Sequence, residues 1–138
     1  PGYYEQIAKI KNVKLVPIKE NSFSLIKQSQ AVATVTGTAG WEAILRGKPA
    51  LVFGCAWYND CAGVFKVNSV ESCRSAIKEI EAGFKIDNQS VINYLKCFEL
   101  ASIRGVVDEW TGINLKLTKP EGLANILSVI NNELKKFV

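Results

Sequence analysis

The chain has 138 residues, a hydrophobic content of 48%, a charged content of 22% and a formal net charge of +4. These values are typical of one soluble globular domain and exclude a disordered chain. The sequence contains no histidine, which excludes a histidine base, a histidine metal ligand and a Ser-His-Asp triad within this segment.

Charge, cysteines and apolar runs limit the class of protein further. The lysines are scattered, so they favour anionic partners without forming a nucleic-acid-binding arm. Four cysteines at spacings typical of neither CxxC pairs nor zinc sites predict free thiols in a reducing cytoplasm, with a Cys55–Cys61 disulfide as the alternative. No apolar run reaches the roughly 18 to 20 residues of a membrane span.

Local patterns predict three elements before residue 31. Apolar residues at helical spacing predict a first helix over residues 3–11. The run VKLVP at 13–17 predicts a short strand that its proline ends. A second helix is predicted over 23–28, with Asn21 or Ser22 as its N-cap.

The stretch AVATVTGTAGWEAILRGKPALVFG, residues 31–54, predicts a strand-helix-strand unit. The apolar runs 31–35 and 50–53 predict strands that are buried on both faces. A helix is predicted over 41–46, and Gly47 suits the left-handed position that follows a helix.

The remaining patterns complete an α/β chain. A loop follows Gly54, and a strand is predicted over 64–67. Three further helices are predicted, over 70–82, 88–103 and 120–137. Alternating strands and helices predict a Rossmann-like three-layer domain over residues 1–138 with a parallel sheet of four visible strands. Because the chain begins Pro1-Gly2 and contains no methionine, we expect it to be a piece of a longer protein with at least one strand upstream.

The turn Thr36-Gly37-Thr38-Ala39-Gly40 is the predicted functional centre. Ligands of open parallel sheets bind where strand C-termini meet helix N-termini. Two glycines, two threonine hydroxyls and the N–H groups of the next helix suit an anion there. The turn is neither GxGxxG nor GxxxxGK[ST]. The alternative is that its glycines only permit tight packing of strand and helix.

Glu42 is predicted in the first turn of the helix that follows. A carboxylate there would repel a phosphate but would accept hydrogen bonds from sugar hydroxyls, so turn and glutamate together describe a nucleotide site. The alternative is a favourable charge at a helix N-terminus.

The segment TVTGTAGWEAILRGKP followed by ALVFG resembles the C-terminal domain of bacterial capsule polysaccharide and surface carbohydrate biosynthesis proteins, the family that includes the Kdo transferases of capsule assembly. The flanking segments NVKLVPIKENSFSLIKQSQAV and AWYNDCAGVFKV are similar to that family as well. The resemblance covers roughly residues 3–81.

This resemblance implies the C-terminal half of a GT-B glycosyltransferase, with two Rossmann-like domains facing across a cleft. It implies metal-independent transfer without a cofactor, from a CMP- or UDP-linked sugar held by the C-terminal domain. The matching positions for the donor phosphate are Gly37, Thr38, Ala39 and Gly40, with Glu42 on the ribose and backbone groups around Pro17 and Ile18 on the base.

Other polar and aromatic residues are weaker candidates. Trp57, Tyr58, Asn59 and Asp60 follow a strand end and are expected to line the same cleft, with burial of the sheet edge as the alternative role of the two rings. Asp108, Glu109 and Trp110 form a still weaker cluster. The resemblance places the general base and acceptor site in an N-terminal domain outside this chain. No catalytic residue is therefore assigned, and we expect the segment alone to bind nucleotide weakly and to be inactive.

Two other functions are kept open. The spacing of the glutamate before Gly-Lys-Pro is similar to that of UDP-N-acetylglucosamine 2-epimerase, a GT-B relative, which makes a sugar-nucleotide epimerase the first alternative. The second is a non-catalytic α/β module that binds a ligand or a protein partner. We expect a cytoplasmic protein that meets the inner face of the bacterial inner membrane through partners.

Overall fold

The computed structural model describes residues 2–106 and 116–137. The chain divides into two compact units, Pro1–Asp87 and Asn88–Val138. The first unit contains a parallel sheet of β1 (Val32–Thr34), β2 (Ala50–Val52) and β3 (Val64–Lys66) in the order β1-β2-β3. The described helices are α1 (Tyr3–Ala8), α2 (Ser22–Gln28), α3 (Thr38–Ile44), α4 (Val70–Glu81), α5 (Asn88–Ala101) and α6 (Lys119–Leu134), and a 3₁₀ turn over Lys135–Phe137 follows α6. The predicted α/β class with a parallel sheet is confirmed, whereas the single domain over residues 1–138 stays a prediction.

Helices cover both faces of the sheet. Side chains alternate between the faces of a strand, so Thr34 of β1 and Leu51 of β2 point to opposite sides. Gly40 of α3 approaches the Thr34 side chain, whereas Leu51 packs in one cluster with Ala76 of α4 and with Phe65 of β3. The first unit is therefore a three-layer α/β arrangement, as the alternation of elements predicts.

The strands differ in burial according to their place in the sheet. The central strand β2 is buried along its whole length, which confirms the prediction for residues 50–52, whereas Phe53, the last residue of the predicted strand, is exposed. In β1 only Val32 and Thr34 are half-buried, and Ala33 is exposed. Burial of β1 on both faces was therefore a wrong expectation, because among the described residues β1 has a neighbour along one edge alone.

The strand predicted over residues 13–17 is absent from the described sheet. These residues have no regular secondary structure, and Val13, Leu15 and Val16 are exposed. A strand needs a hydrogen-bonded neighbour and a buried face, and this segment has neither in the part of the chain that the structure describes. The described sheet consequently has three strands where the sequence predicted four.

Helix α3 begins at Thr38 rather than Trp41. Gly37 is its N-cap in an extended conformation, and its N–H donates to Thr34 Oγ1 at 3.0 Å. Three residues assigned to the preceding turn, Thr38, Ala39 and Gly40, therefore lie in the first helical turn. The helix ends at Ile44, two residues before the predicted end at 46, whereas the predicted left-handed conformation of Gly47 is confirmed by its φ of 71°.

Side-chain caps begin several of the other helices. The predicted cap of α2 is confirmed at Asn21, whose Oδ1 accepts from the Ser24 N–H at 3.0 Å. In α4, Ser69 Oγ accepts from the Ser72 N–H at 3.1 Å, and Ser72 Oγ accepts from the Ser69 N–H at 3.0 Å. Such a reciprocal capping box satisfies two of the donors that a helix N-terminus leaves unpaired.

The second unit contains α5 and α6. Gly122 of α6 packs so closely on Val106 that an added Cβ would lie 2.5 Å from the Val106 Cβ, and Val106 is buried. Asn125 Nδ2 also donates to the Arg104 carbonyl at 2.8 Å. Among the described residues no helix has the length and apolarity needed to cross a membrane.

All four cysteines are free thiols. Cys55 and Cys97 are exposed, Cys73 is half-buried and Cys61 is buried. The predicted free thiols are therefore confirmed, and the alternative disulfide between Cys55 and Cys61 is wrong. Burial also raises the pKa of the Cys61 thiol, against a smaller lowering by the Ala62 backbone N–H, and so favours its neutral form.

Candidate functional site

The glycine turn lies at the carboxyl edge of the sheet. It connects the end of β1 at Thr34 with the start of α3 at Thr38. The first N–H groups of a helix have no acceptor within the helix, and no group in the described part of the chain accepts from the amides of Thr38, Ala39 or Gly40. These adjacent donors belong to three of the four residues predicted to hold a phosphate. The fourth, Gly37, has its own N–H bonded to Thr34 Oγ1.

Tyr58 supports this turn from inside the protein. Its side chain is 0% exposed, and its phenol donates to the Gly37 carbonyl at 2.5 Å. Burial raises the pKa of Tyr58, and a hydrogen bond from the Trp41 backbone N–H opposes that rise. The phenol therefore holds the N-cap carbonyl of α3, and the N–H groups of Thr38, Ala39 and Gly40 have no acceptor among the described residues.

Gly40 has a packing reason to be glycine. A Cβ at this position would lie 2.5 Å from the Tyr58 hydroxyl oxygen and 3.0 Å from Thr34 Cγ2. The close approach of α3 to β1 and to the loop after β2 therefore requires the absence of a side chain. At this position the purely structural explanation of the glycine turn holds, whatever else the turn binds.

Glu42 lies in the second turn of α3, not in the first as the sequence predicted, because the helix begins earlier. The helix dipole acts mainly within the first turn, so a favourable terminal charge no longer explains this residue. Its half-buried carboxylate makes no hydrogen bond or ion pair with any residue that the structure describes. Residues four apart share a helix face, and helical side chains lean toward the N-terminus. The carboxylate consequently lies on the Thr38 face of α3.

The four candidates after β2 have different surroundings. Trp57 is 46% exposed, and its ring packs against Trp41 with centroids 4.8 Å apart. The side chain of Asn59 holds the loop, since Oδ1 accepts from the Ala56 N–H at 3.2 Å and Nδ2 donates to the Gly54 carbonyl at 3.1 Å. Asp60 is exposed and pairs with Lys66. Of the two aromatic side chains in this loop, Trp57 is exposed and can contact a ligand, whereas Tyr58 is buried.

The remaining candidates lie apart from the turn or outside the described residues. Pro17 and Ile18 are exposed, and in the described part of the chain no hydrogen bond joins them to the turn. Asp108, Glu109 and Trp110 lie outside the described residues. Within residues 2–106 and 116–137, no three histidine, cysteine, aspartate or glutamate side chains are grouped as a metal site would require.

Two contributors to the site were missed in the sequence. Thr34 accepts from the N-cap amide, and the Trp41 ring packs on the rings of Trp57 and Tyr58. Trp41 stood within the quoted motif, so its position beside the turn was visible in the sequence. Thr34 looks like an ordinary strand residue, and only the closeness of Gly37 gives it a role.

The family model described as capsule polysaccharide biosynthesis protein matches residues 1–94. The chain belongs to this capsule polysaccharide biosynthesis family. The matched region contains β1, α3, β2 and the loop that carries Tyr58, so it includes the whole site described above. The resemblance noted in the sequence is thereby confirmed.

The names of two curated relatives are consistent with this family, and each match covers a short segment of the relative. The chain is 40% identical over 57 residues to the capsule polysaccharide modification protein LipA of Neisseria meningitidis serogroup B. It is 39% identical over 57 residues to the LipA protein of serogroup A. Each match covers 41% of this chain and 8% of the relative's length. No solved structure matches the chain.

Proposed function

We propose that the first unit of this capsule polysaccharide biosynthesis protein binds the nucleotide-sugar donor of a glycosyltransferase. The donor phosphate would accept from the N–H groups of Thr38, Ala39 and Gly40, and the ribose hydroxyls would donate to Glu42. One observation carries the proposal: a half-buried carboxylate without a protein partner lies one turn behind three backbone donors. This combination of anion donors and hydroxyl acceptor matches a nucleotide better than a bare phosphate.

The spacing of these groups suits their different charges. One turn of helix rises about 5.4 Å, so the Glu42 carboxylate is set back from an anion at the N-terminus of α3. Fixed N–H donors and the helix dipole would stabilise the negative charge that develops on the departing nucleotide phosphate. This role requires no titrating side chain in the first unit.

The rest of the proposal extends beyond the turn. The exposed backbone at Pro17 and Ile18 would meet the base, and the exposed ring of Trp57 would contact the sugar or the acceptor, with Asn59 and Asp60 at the edge of the same loop. A GT-B architecture, in which a second domain supplies the general base and the acceptor site across a cleft, is part of the same proposal.

One observation favours a second function, a non-catalytic ligand- or partner-binding module. The contact between Gly40 and Tyr58 explains the second glycine of the turn by packing alone. A substitution of Gly40 would disturb the fold as well as any phosphate site, so it cannot distinguish the two functions. Glu42 can, because its carboxylate has no described partner to lose.

The test is a titration of the full chain with CMP and with UDP, followed by backbone amide NMR. We expect saturable shifts at residues 37–42 with one nucleotide, and an affinity about tenfold lower for Glu42→Gln, because a hydrogen bond to a charged group contributes about 1.5–3 kcal/mol. Glu79→Gln makes the same change in charge on the exposed surface of α4 and should bind like the unsubstituted chain.

Two outcomes would contradict the proposal. Equal affinities for Glu42→Gln and Glu79→Gln would remove Glu42 from the site. Absence of saturation at millimolar nucleotide, in this chain and in a longer protein that contains it, would leave the binding module as the better function.

A further inference from the structure

A concavity lined by several cationic residues lies in the first unit, away from the glycine turn. It has a volume of about 450 Å³ and is formed by residues of α2 and residues that follow α3. Its lining consists of Phe23, Ser24, Lys27, Arg46 and Lys48, and is called the basic groove below. Three of these five side chains are cationic and none is acidic.

Arg46 is held in place before any ligand arrives. Its guanidinium carbon lies 4.3 Å from the centre of the Phe23 ring, and its Nη1 donates to the Glu42 backbone carbonyl at 2.8 Å. A guanidinium has five N–H donors in a planar fork, so these two contacts fix the plane of the group and still leave donors for a ligand. A prepositioned arginine loses less side-chain entropy on binding a phosphate or carboxylate.

The positive charge of the groove is not compensated within the described residues. The ion pairs described there are Lys66–Asp60 and Lys136–Glu133, and neither involves a groove residue. Cations near helix C-termini are favourable, which accounts for Lys27 in the last turn of α2 and Arg46 just after α3. That effect does not require the cations of two helices to converge on one pocket.

We propose that the basic groove binds the anionic group of a sugar or other small ligand, a phosphate or a carboxylate. Arg46 would give a bidentate contact, Lys27 and Lys48 would supply further charge, and the Ser24 hydroxyl would supply a neutral donor. The groove and the glycine turn lie at opposite ends of α3, whose seven residues span roughly 10 Å. The groove is therefore an anion site separate from the proposed donor site.

The test uses three probes on the full chain at low salt: inorganic phosphate, glucose 6-phosphate and glucuronate. Backbone amide NMR should show saturable shifts at residues 23–27 and 46–48, and the better probe identifies phosphate or carboxylate as the bound group. Lys27→Gln, Lys48→Gln and Arg46→Lys should each weaken binding about tenfold, as expected for loss of one charge-assisted contact. Lys78→Gln, on the exposed surface of α4, lowers the net charge equally and should leave affinity within about twofold.

Three results would overturn the proposal. The first is equal weakening by Lys78→Gln and by the groove variants, which would indicate general charge attraction. The second is confinement of the shifts to residues 37–42. The third is lack of saturation up to about 10 mM probe, a range in which even a weak site is detected. Glu42→Gln keeps the backbone carbonyl that holds Arg46 and should not alter groove binding, so this proposal and the donor-site proposal fail separately.

Discussion

Tyr58 joins the segments that surround the glycine turn. Its phenol donates to the Gly37 carbonyl, and its ring lies beside the rings of Trp41 and Trp57. From the sequence, Tyr58 was predicted to line the cleft together with Trp57, Asn59 and Asp60. Burial within an irregular loop follows no period, so the difference between an exposed Trp57 and a buried Tyr58 was not visible in the pattern.

Removal of the Tyr58 hydroxyl should lower stability. Tyr58→Phe keeps the ring but removes the hydrogen bond to the Gly37 carbonyl. We expect the free energy of unfolding, measured with urea, to fall by about 1–2 kcal/mol. Tyr4→Phe, at an exposed tyrosine, should change it by less than about 0.5 kcal/mol. A loss no larger for Tyr58→Phe than for Tyr4→Phe would show that the hydroxyl does not support the turn.

The same variant should also respond differently to alkali. Burial raises the pKa of Tyr58 above the 10.0 of an ordinary tyrosine, so above that pH the unfolded chain releases the proton more readily than the folded one. The contribution of Tyr58 is therefore present below pH 10.0 and declines as the pH rises toward the folded-state pKa. Urea midpoints should fall less steeply above pH 10.0 in Tyr58→Phe than in the unsubstituted chain, and identical slopes would contradict the burial effect.

At the scale of elements, the central strand was the easiest to predict. The run at residues 50–53 is apolar throughout and follows Gly47 and Pro49, and β2 is buried along its length. The run at 13–17 also contains three apolar residues, Val13, Leu15 and Val16, but it pairs with no strand in the part of the chain that the structure describes. Local composition indicates that a segment can be a strand, whereas pairing depends on distant residues.

The start of α3 shows how packing can override local composition. Glycines in TGTAG predicted a turn through Gly40, yet the helix begins at Thr38. An early start brings Gly40 against Tyr58 and Thr34, and these contacts outweigh the unfavourable helix propensity of one glycine, about 1 kcal/mol. The shift moved Glu42 out of the first turn and so changed the explanation for its position.

The serine cap of α4 should be measurable by substitution. Ser69→Ala removes the oxygen that accepts from the Ser72 N–H, and we expect the free energy of unfolding to fall by about 1 kcal/mol. The matched control is Ser75→Ala, an exposed position within the same helix, where alanine should be neutral or slightly stabilising. Thermal or urea unfolding of both variants tests this, and equal effects would mean that the cap does not stabilise the helix.

At the scale of the whole molecule, thiol labelling should follow burial. Cys55 and Cys97 are exposed, whereas Cys61 is 4% exposed within the first unit. Labelling of Cys61 requires an opening of the structure, so we expect it to be at least about a hundredfold slower than labelling of Cys55. Peptide mass spectrometry after timed alkylation distinguishes the sites. In denaturant, Cys55 and Cys61 should be alkylated at similar rates. Fast native labelling of Cys61 would show that this loop opens readily.

The two proposed anion sites differ in how far the sequence predicts them. The glycine turn is one continuous stretch at a strand end, so its residues and its place in the fold were predictable together. The basic groove joins Lys27 of one helix to Arg46 and Lys48 after another, with β1 between them in the chain. Scattered lysines gave no sign that these three converge, because their proximity arises from the packing of α2 on α3.

The phenol of Tyr58 has a consequence for communication between ligands. The loop that presents Trp57 and the N-terminus of α3 share this hydroxyl, so a displacement of the loop also changes the hydrogen bond at Gly37. A molecule that binds Trp57 and shifts this loop would then alter the affinity of the turn for an anion, and the anion would alter the affinity for that molecule by the same factor. The proposed donor and acceptor would then change each other's affinity through the hydrogen bond of one hydroxyl oxygen.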